Sequence, residues 1–152
     1  MATLIQQDLK TIGVKLNLVT LDMPSLLERF TKSFQYEAAI LGLTNVDLDP
    51  NEQMNVWISS SQDHGWNPHQ KSPATPWEAE IDRLMRAQAA ELDNNKRKAL
   101  FDKVQQIVRQ QLPYIYLVNR NSLSAVSTSL KGVNPATLSP ETFWNIESLS
   151  LK

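Results

Sequence analysis

Residues 37–57 read EAAILGLTNVDLDPNEQMNVW, an apolar run that stops at an acidic, polar turn and opens directly into a helix start. In α/β proteins the C-terminal ends of strands and the N–H groups at helix starts converge on one crevice, where ligands usually sit. A site is therefore expected at the turn. The run Tyr36 to Leu43 is uncharged after Glu37 and short, as a buried central strand would be. Asp49-Pro50-Asn51-Glu52 then supplies an N-cap, a proline at the first helical position and a capping-box acid, with Met54, Trp57 and Ile58 turned inward.

Upstream, Leu4, Ile5, Leu9 and Ile12 recur at helical spacing and Gly13 follows as a stop, so residues 3–12 form a helix. Val14, Leu16 and Leu18 then alternate with polar residues, and this change of period makes 14–21 a strand. Asp22 and Pro24 mark the next helix start, with a capping box expected between Ser25 and Glu28. The order so far, helix, strand, helix, strand, argues for a parallel or mixed sheet covered by helices.

Downstream, residues 59–75 form a long polar loop, and such loops inside compact domains are usually functional or disordered. Thr75-Pro76-Trp77-Glu78 repeats the capping pattern and starts a helix over 76–92. Asp93 caps a second, whose stripe is Leu100, Phe101, Val104, Ile107, Val108 and Leu112 and which Pro113 ends. The two make a hairpin expected to cover the sheet. Pro113 to Asn119, PYIYLVN, is rich in aromatic and β-branched residues and is expected as a strand. Residues 122–152 carry small apolar clusters between turn residues, and FWNIESLSL at 143–151 is their best strand candidate.

Composition narrows the function. With 152 residues, 41% of them hydrophobic and 20% charged, the chain can bury the core of one domain. Fifteen Lys and Arg against sixteen Asp and Glu leave a net charge of −1, too weak a field to draw in nucleic acid. Cysteine is absent, which removes thiol catalysis, disulfides and Cys-ligated zinc. The N-terminus lacks the charged start and apolar run of a signal peptide. A helix starting almost at residue one is what a piece cut from a longer chain would show.

Four stretches carry a resemblance to a known family. IQQDLKTIGVKLNLVTLD (5–22), LGLTNVDLDP (41–50), EAEIDRLMRAQAAELDNNKRKALFDKVQQIV (78–108) and LPYIYLVNRN (112–121) are similar, in this order, to segments of the C-terminal lobe of family 5 extracellular solute-binding proteins. These are the dipeptide, oligopeptide and nickel receptors of ABC importers. The resemblance implies an α/β lobe of a clamshell, a mixed sheet with helices packed on it, that captures a small polar solute or peptide without changing it. It implies a membrane permease as partner of the full-length receptor, and a periplasmic or extracellular parent. Residues 3–121 would be the solute-binding lobe. Residues 122–152 would be a tail that normally returns to the other lobe, and here is expected to fold onto its own sheet or pair with another copy through the orphan edge.

Peptide-binding members place an acid four residues before the Pro of the Asp-Pro turn, to hold the ligand's amino terminus, and usually a Trp seven residues before it. This chain has Val46 and Leu43 there, so the amine-binding acid is missing unless Asp47 replaces it in a shifted register. The candidate ligand contacts are Thr44, Asn45 and Asp47 at the turn, and Trp66 and Asn67 in the long loop. An indole and an amide suit stacking and hydrogen bonding of a polar ligand, while the plainer role for Trp66 is to pin the loop to the core. Trp57 and Trp77 are read as core, and Asp49 as a cap.

His64 and His69 lie five apart beside Asp63, but loop spacing fixes no ligand geometry, so neither a metal nor a cofactor is expected. No Gly-x-Ser-x-Gly elbow or phosphate loop is present, and no enzyme is expected. The competing expectation is an engineered or isolated structural or interaction domain that self-associates and no longer binds solute.

Overall fold

The computed structural model describes residues 1–43, 49–119 and 121–151. Its helices are α1 (Ala2–Thr11), α2 (Met23–Glu28), which runs on into a π-helical turn (Arg29–Ser33), α3 (Met54–Trp57), entered through a 3-10 turn (Pro50–Gln53), α4 (Pro76–Ala90) and α5 (Asn94–Gln111). Two short strands, β1 (Leu130–Lys131) and β2 (Ser150–Leu151), flank a last 3-10 turn (Ile146–Ser148). The chain divides into two compact units, one made of residues 1–43 and 55–82 and the other of 44–54 and 83–152.

The helices follow their local signals. α1 ends as its glycine requires: Gly13 sits at φ +83°, its N–H reaches the carbonyl of Lys10, and the N–H of Val14 reaches Leu9. At α2 the cap is Asp22 rather than Ser25; its carboxylate accepts the Ser25 N–H at 2.8 Å, and Pro24 lies inside the first turn. Asp22 wins because it precedes the helix with extended backbone, the geometry a capping side chain needs. Asp49 caps the 3-10 turn through the Asn51 N–H at 2.8 Å, with Pro50 next, and Asp93 caps α5 through Asn95 and Lys96. Leu112, in the left-handed conformation just before Pro113, ends α5.

The expected sheet does not form. Residues 14–21, 36–43 and 113–119 are not strands, and among the described residues the one sheet is the two-stranded antiparallel pair β1–β2, with Leu130 opposite Leu151 and Lys131 opposite Ser150. The described residues thus form a small mixed helix-and-strand fold, consistent with part of an α/β lobe, whose sheet is this one pair. An alternating pattern specifies two faces but no partner, and a strand without a paired neighbour or a covering layer is not stable on its own. Val14, Val19, Ile40, Leu43, Ile115, Tyr116 and Val118 accordingly stand exposed.

The first unit buries Val56, Trp57, Ile58 and Ile81 around the polar group Ser59, His64, Glu78 and Asp82. The Asp82 carboxylate accepts both the backbone N–H (2.7 Å) and the hydroxyl (2.8 Å) of Ser59 and so fixes the start of the long loop. In the second unit the buried apolar residues include Leu84, Met85, Val104 and Val108, and fully buried Gln88 ties three segments together. Its amide donates to Asn51 Oδ1 at 2.7 Å, and its carbonyl accepts Arg97 Nε at 3.0 Å. The same Arg97 reaches the Asp49 cap at 2.5 Å. The Asn51 N–H and Arg97 hold the Asp49 carboxyl below the usual range.

The tail closes on itself. Asn145 donates to the Gly132 carbonyl and to Ser148 Oγ, each at 2.8 Å, and the Trp144 indole donates to the Asn134 carbonyl. Its strand is shorter than FWNIESLSL suggested: residues 141–145 turn, 146–148 wind as a 3-10 turn, and only Ser150–Leu151 pair. Asn, Pro and Ser favour turns over ladders here.

Candidate functional site

Thr44, Asn45 and Asp47 lie outside the described residues. Trp66 and Asn67 lie within them, in the 59–75 loop, and both are half-buried. The loop has no regular structure yet is tightly organised, and its centre is the buried carboxylate of Glu78 in the first turn of α4.

The capping box read at Thr75 and Glu78 puts the acid there. The Glu78 N–H donates to Thr75 Oγ1 at 3.2 Å, and Glu78 Oε2 in return accepts the Thr75 N–H at 2.8 Å. That oxygen also accepts the Ala74 N–H at 2.9 Å and the Thr75 hydroxyl at 3.0 Å. Oε1 faces the other way, into the loop, and accepts the Trp66 indole N–H at 3.0 Å and the Gln70 amide at 3.2 Å, with His64 Nε2 at 3.3 Å. Burial by itself would push the Glu78 carboxyl up, but the hydrogen bonds from Trp66, Thr75 and Gln70 outweigh it and bring it down to about 2. At neutral pH the loop is therefore folded around a carboxylate.

His64 is fully buried, and both its ring nitrogens are engaged. Nδ1 lies 3.1 Å from the Val56 carbonyl, which can only accept, so Nδ1 carries the proton. In the neutral ring Nε2 is then an acceptor and takes a hydrogen from Gln70 at 2.9 Å. The two amide hydrogens of Gln70 are thereby spent on His64 and Glu78, which turns its carbonyl toward Asn67, whose amide donates to it at 2.7 Å. Both loop candidates thus hang from one acid, Trp66 directly and Asn67 through Gln70.

Aromatic packing completes the loop. The Trp66 ring lies 6.0 Å from Trp77 in a stacked arrangement, 6.1 Å from buried Trp57 and 3.6 Å from the His64 ring. The Tyr36 hydroxyl donates to the Gly65 carbonyl at 2.9 Å, and Phe34 meets His69 edge-on at 4.4 Å. Burial raises the Tyr36 phenol above its usual range. Among the described residues no three His, Cys, Asp or Glu side chains stand close enough to hold a metal ion, and no helix is long and apolar enough to cross a membrane.

Sequence reasoning missed Gln70, weighed His64 only as half of a metal pair that it set aside, and read Glu78 only as a capping acid. A signal was present in the loop: a largely polar segment that contains Trp66 and leads into a capping-box Glu needs somewhere to spend its donors.

Known proteins align with nearly the whole chain. A dipeptide-binding protein of Pseudomonas aeruginosa is 24% identical over 147 residues, which is 96% of this chain and 26% of that protein. The chain resembles about a quarter of a family 5 solute-binding protein. A periplasmic protein of Escherichia coli named for D,D-dipeptide binding is 29% identical over 95% of the chain, and heme-binding protein A of Haemophilus influenzae is 26% identical over 96%. The chain spans 27% and 26% of these two relatives. No family model and no solved structure matches it. The relatives are named for binding, and the resemblance read from four collinear stretches of sequence is upheld along the chain.

Proposed function

We propose that this chain is a ligand-binding part of the C-terminal lobe of an ABC importer's extracellular solute receptor. It captures a small polar solute or peptide and performs no chemistry on it. The observation that supports this is the alignment of some 96% of the chain with proteins named for dipeptide and heme binding. Its ligand-facing residues are Thr44, Asn45, Asp47, Trp66 and Asn67. Residues 3–121 belong to the solute-binding lobe and 122–152 to a tail that returns to the other lobe. In such a receptor the other lobe buries much of the ligand, so the chain by itself binds weakly or not at all. The permease partner and the periplasmic setting belong to the whole receptor. The comparisons lend no support to self-association.

The test is a thermal-shift screen of the full receptor carrying this sequence, against di- and tripeptides and hemin, followed by calorimetry. A ligand at about 100 times its dissociation constant stabilises by ~2.7 kcal/mol and raises the unfolding midpoint measurably. A receptor that neither shifts nor titrates with any member of the panel contradicts the proposal.

A further inference from the structure

We propose that Glu78 is the positioning residue for the ligand-facing side of the 59–75 loop: it holds Trp66 directly and Asn67 through Gln70, presenting both in one fixed arrangement. What Trp66 and Asn67 touch rests on the functional reading above. How they are held rests on the loop geometry alone.

A half-buried Trp and Asn on an irregular loop would ordinarily sample several rotamers, and fixing each before binding removes an entropic cost from the ligand. Here the fixing group is a single buried carboxylate. Trp66 Nε1 is 3.0 Å from Oε1, so its donor is used within the loop and a ligand meets only ring surface. Gln70 is locked by His64 at 2.9 Å and Glu78 at 3.2 Å, which leaves its carbonyl as the only group available to Asn67. With its Nδ2 drawn 2.7 Å from Gln70, Asn67 offers a ligand its carbonyl oxygen, an acceptor. The pair so held suits a solute that carries an N–H donor next to a flat or apolar group. Glu78 acts through the two residues and need not touch the ligand.

Two variants separate the links of this relay. Glu78→Gln removes the acceptor of Trp66 and disturbs Gln70, whereas Gln70→Ala cuts the branch to Asn67, together with the Gln70 bonds to His64 and Glu78, and leaves the Trp66–Glu78 bond in place. In 1H–15N NMR of the chain, Glu78→Gln should speed solvent exchange of the Trp66 indole N–H about tenfold, the equivalent of one lost hydrogen bond, and shift the Asn67 side-chain amide signals. Gln70→Ala should shift the Asn67 signals and leave Trp66 exchange within twofold of wild type. General loosening of the loop would move both residues in both variants. That pattern, or unchanged Trp66 exchange in Glu78→Gln, overturns the proposal; if Glu78→Gln does not fold, the Gln70→Ala pattern decides. In the full receptor titrated with dialanine, Gln70→Ala should weaken binding about tenfold. Equal affinity of wild type and Gln70→Ala overturns the ligand-positioning role. Absence of binding by wild type to any of the screened solutes overturns the functional reading instead, and is told apart by an NMR pattern that still shows the relay.

Discussion

Replacing Glu78 by Gln keeps the size and shape of the side chain and changes only what it can accept, so its cost can be worked from the contacts. Both carboxylate oxygens are occupied by donors: Oε2 by the N–H groups of Ala74 and Thr75 and the Thr75 hydroxyl, Oε1 by Trp66 and Gln70. A glutamine must place an NH2 at one of these seats. At the Oε2 seat it would face two backbone N–H groups that cannot rotate away. At the Oε1 seat it faces the Trp66 indole, and Gln70 can escape only by releasing His64 and Asn67. The second arrangement is cheaper, leaving one unsatisfied indole donor at ~1–3 kcal/mol, and weakening the remaining bonds, no longer charge-assisted, by about half. The expected loss is ~2–4 kcal/mol at pH 7, and with ~2–4 °C per kcal/mol for a chain of this size the unfolding midpoint should fall by roughly 5–15 °C.

Acid should erase the difference. The folded-state carboxyl of Glu78 is lowered from 4.5 to about 2, so ionisation favours the fold. Its contribution is complete above the ordinary glutamate value, and is lost as pH falls from there through about 2. Urea unfolding of wild type and Glu78→Gln at pH 7 and pH 3 should therefore show a gap that narrows in acid. A gap below about 0.5 kcal/mol at pH 7, or one of the same size at pH 3, would refute the reasoning.

Other substitutions probe the rest of the chain. Gly132→Ala places a Cβ 2.1 Å from the Ser148 carbonyl oxygen at a residue with φ +77°, so hydrogen exchange should show residues 127–151 opening while α5 keeps its protection. Tyr36→Phe removes the bond to the Gly65 carbonyl and should cost ~0.5–1.5 kcal/mol in urea unfolding, with the helical circular dichroism unchanged. Asp93→Ala strips the cap that serves the N–H groups of Asn95 and Lys96, and should lower stability by ~1 kcal/mol and fray the first turn of α5.

Features encoded within a few neighbouring residues were legible in the sequence: the Gly13 stop, the Asp49 and Asp93 caps, the Thr75–Glu78 box and the limits of α4 and α5. Each is closed by a bond between residues at most five apart, so composition and spacing suffice. The strands were not legible in the same sense. Alternation at Val14, Leu16 and Leu18 describes how those residues would face once paired, but pairing is a property of distant chain. The candidate site shows the same divide. Trp66 and Asn67 attracted notice by residue type, yet what holds them is a buried acid 12 and 11 positions further along, reached by Trp66 directly and by Asn67 through a glutamine whose role no local pattern marks.

The way the 59–75 loop is tethered also decides where the chain can be lengthened. Between Gln70 and Ala74, the neighbouring points at which the loop is fastened to Glu78, Lys71 and Ser72 are exposed and belong to no helix or strand. Extra length there can bulge into solvent with both fastenings intact, and a longer loop costs only ~0.6 kcal/mol per doubling. The same residues inserted between His64 and Gln70 would carry Trp66 and Asn67 off their shared anchor. A tag or reporter introduced at 71–72 thus leaves Trp66 and Asn67 as they stand, whereas one placed a few residues earlier displaces them.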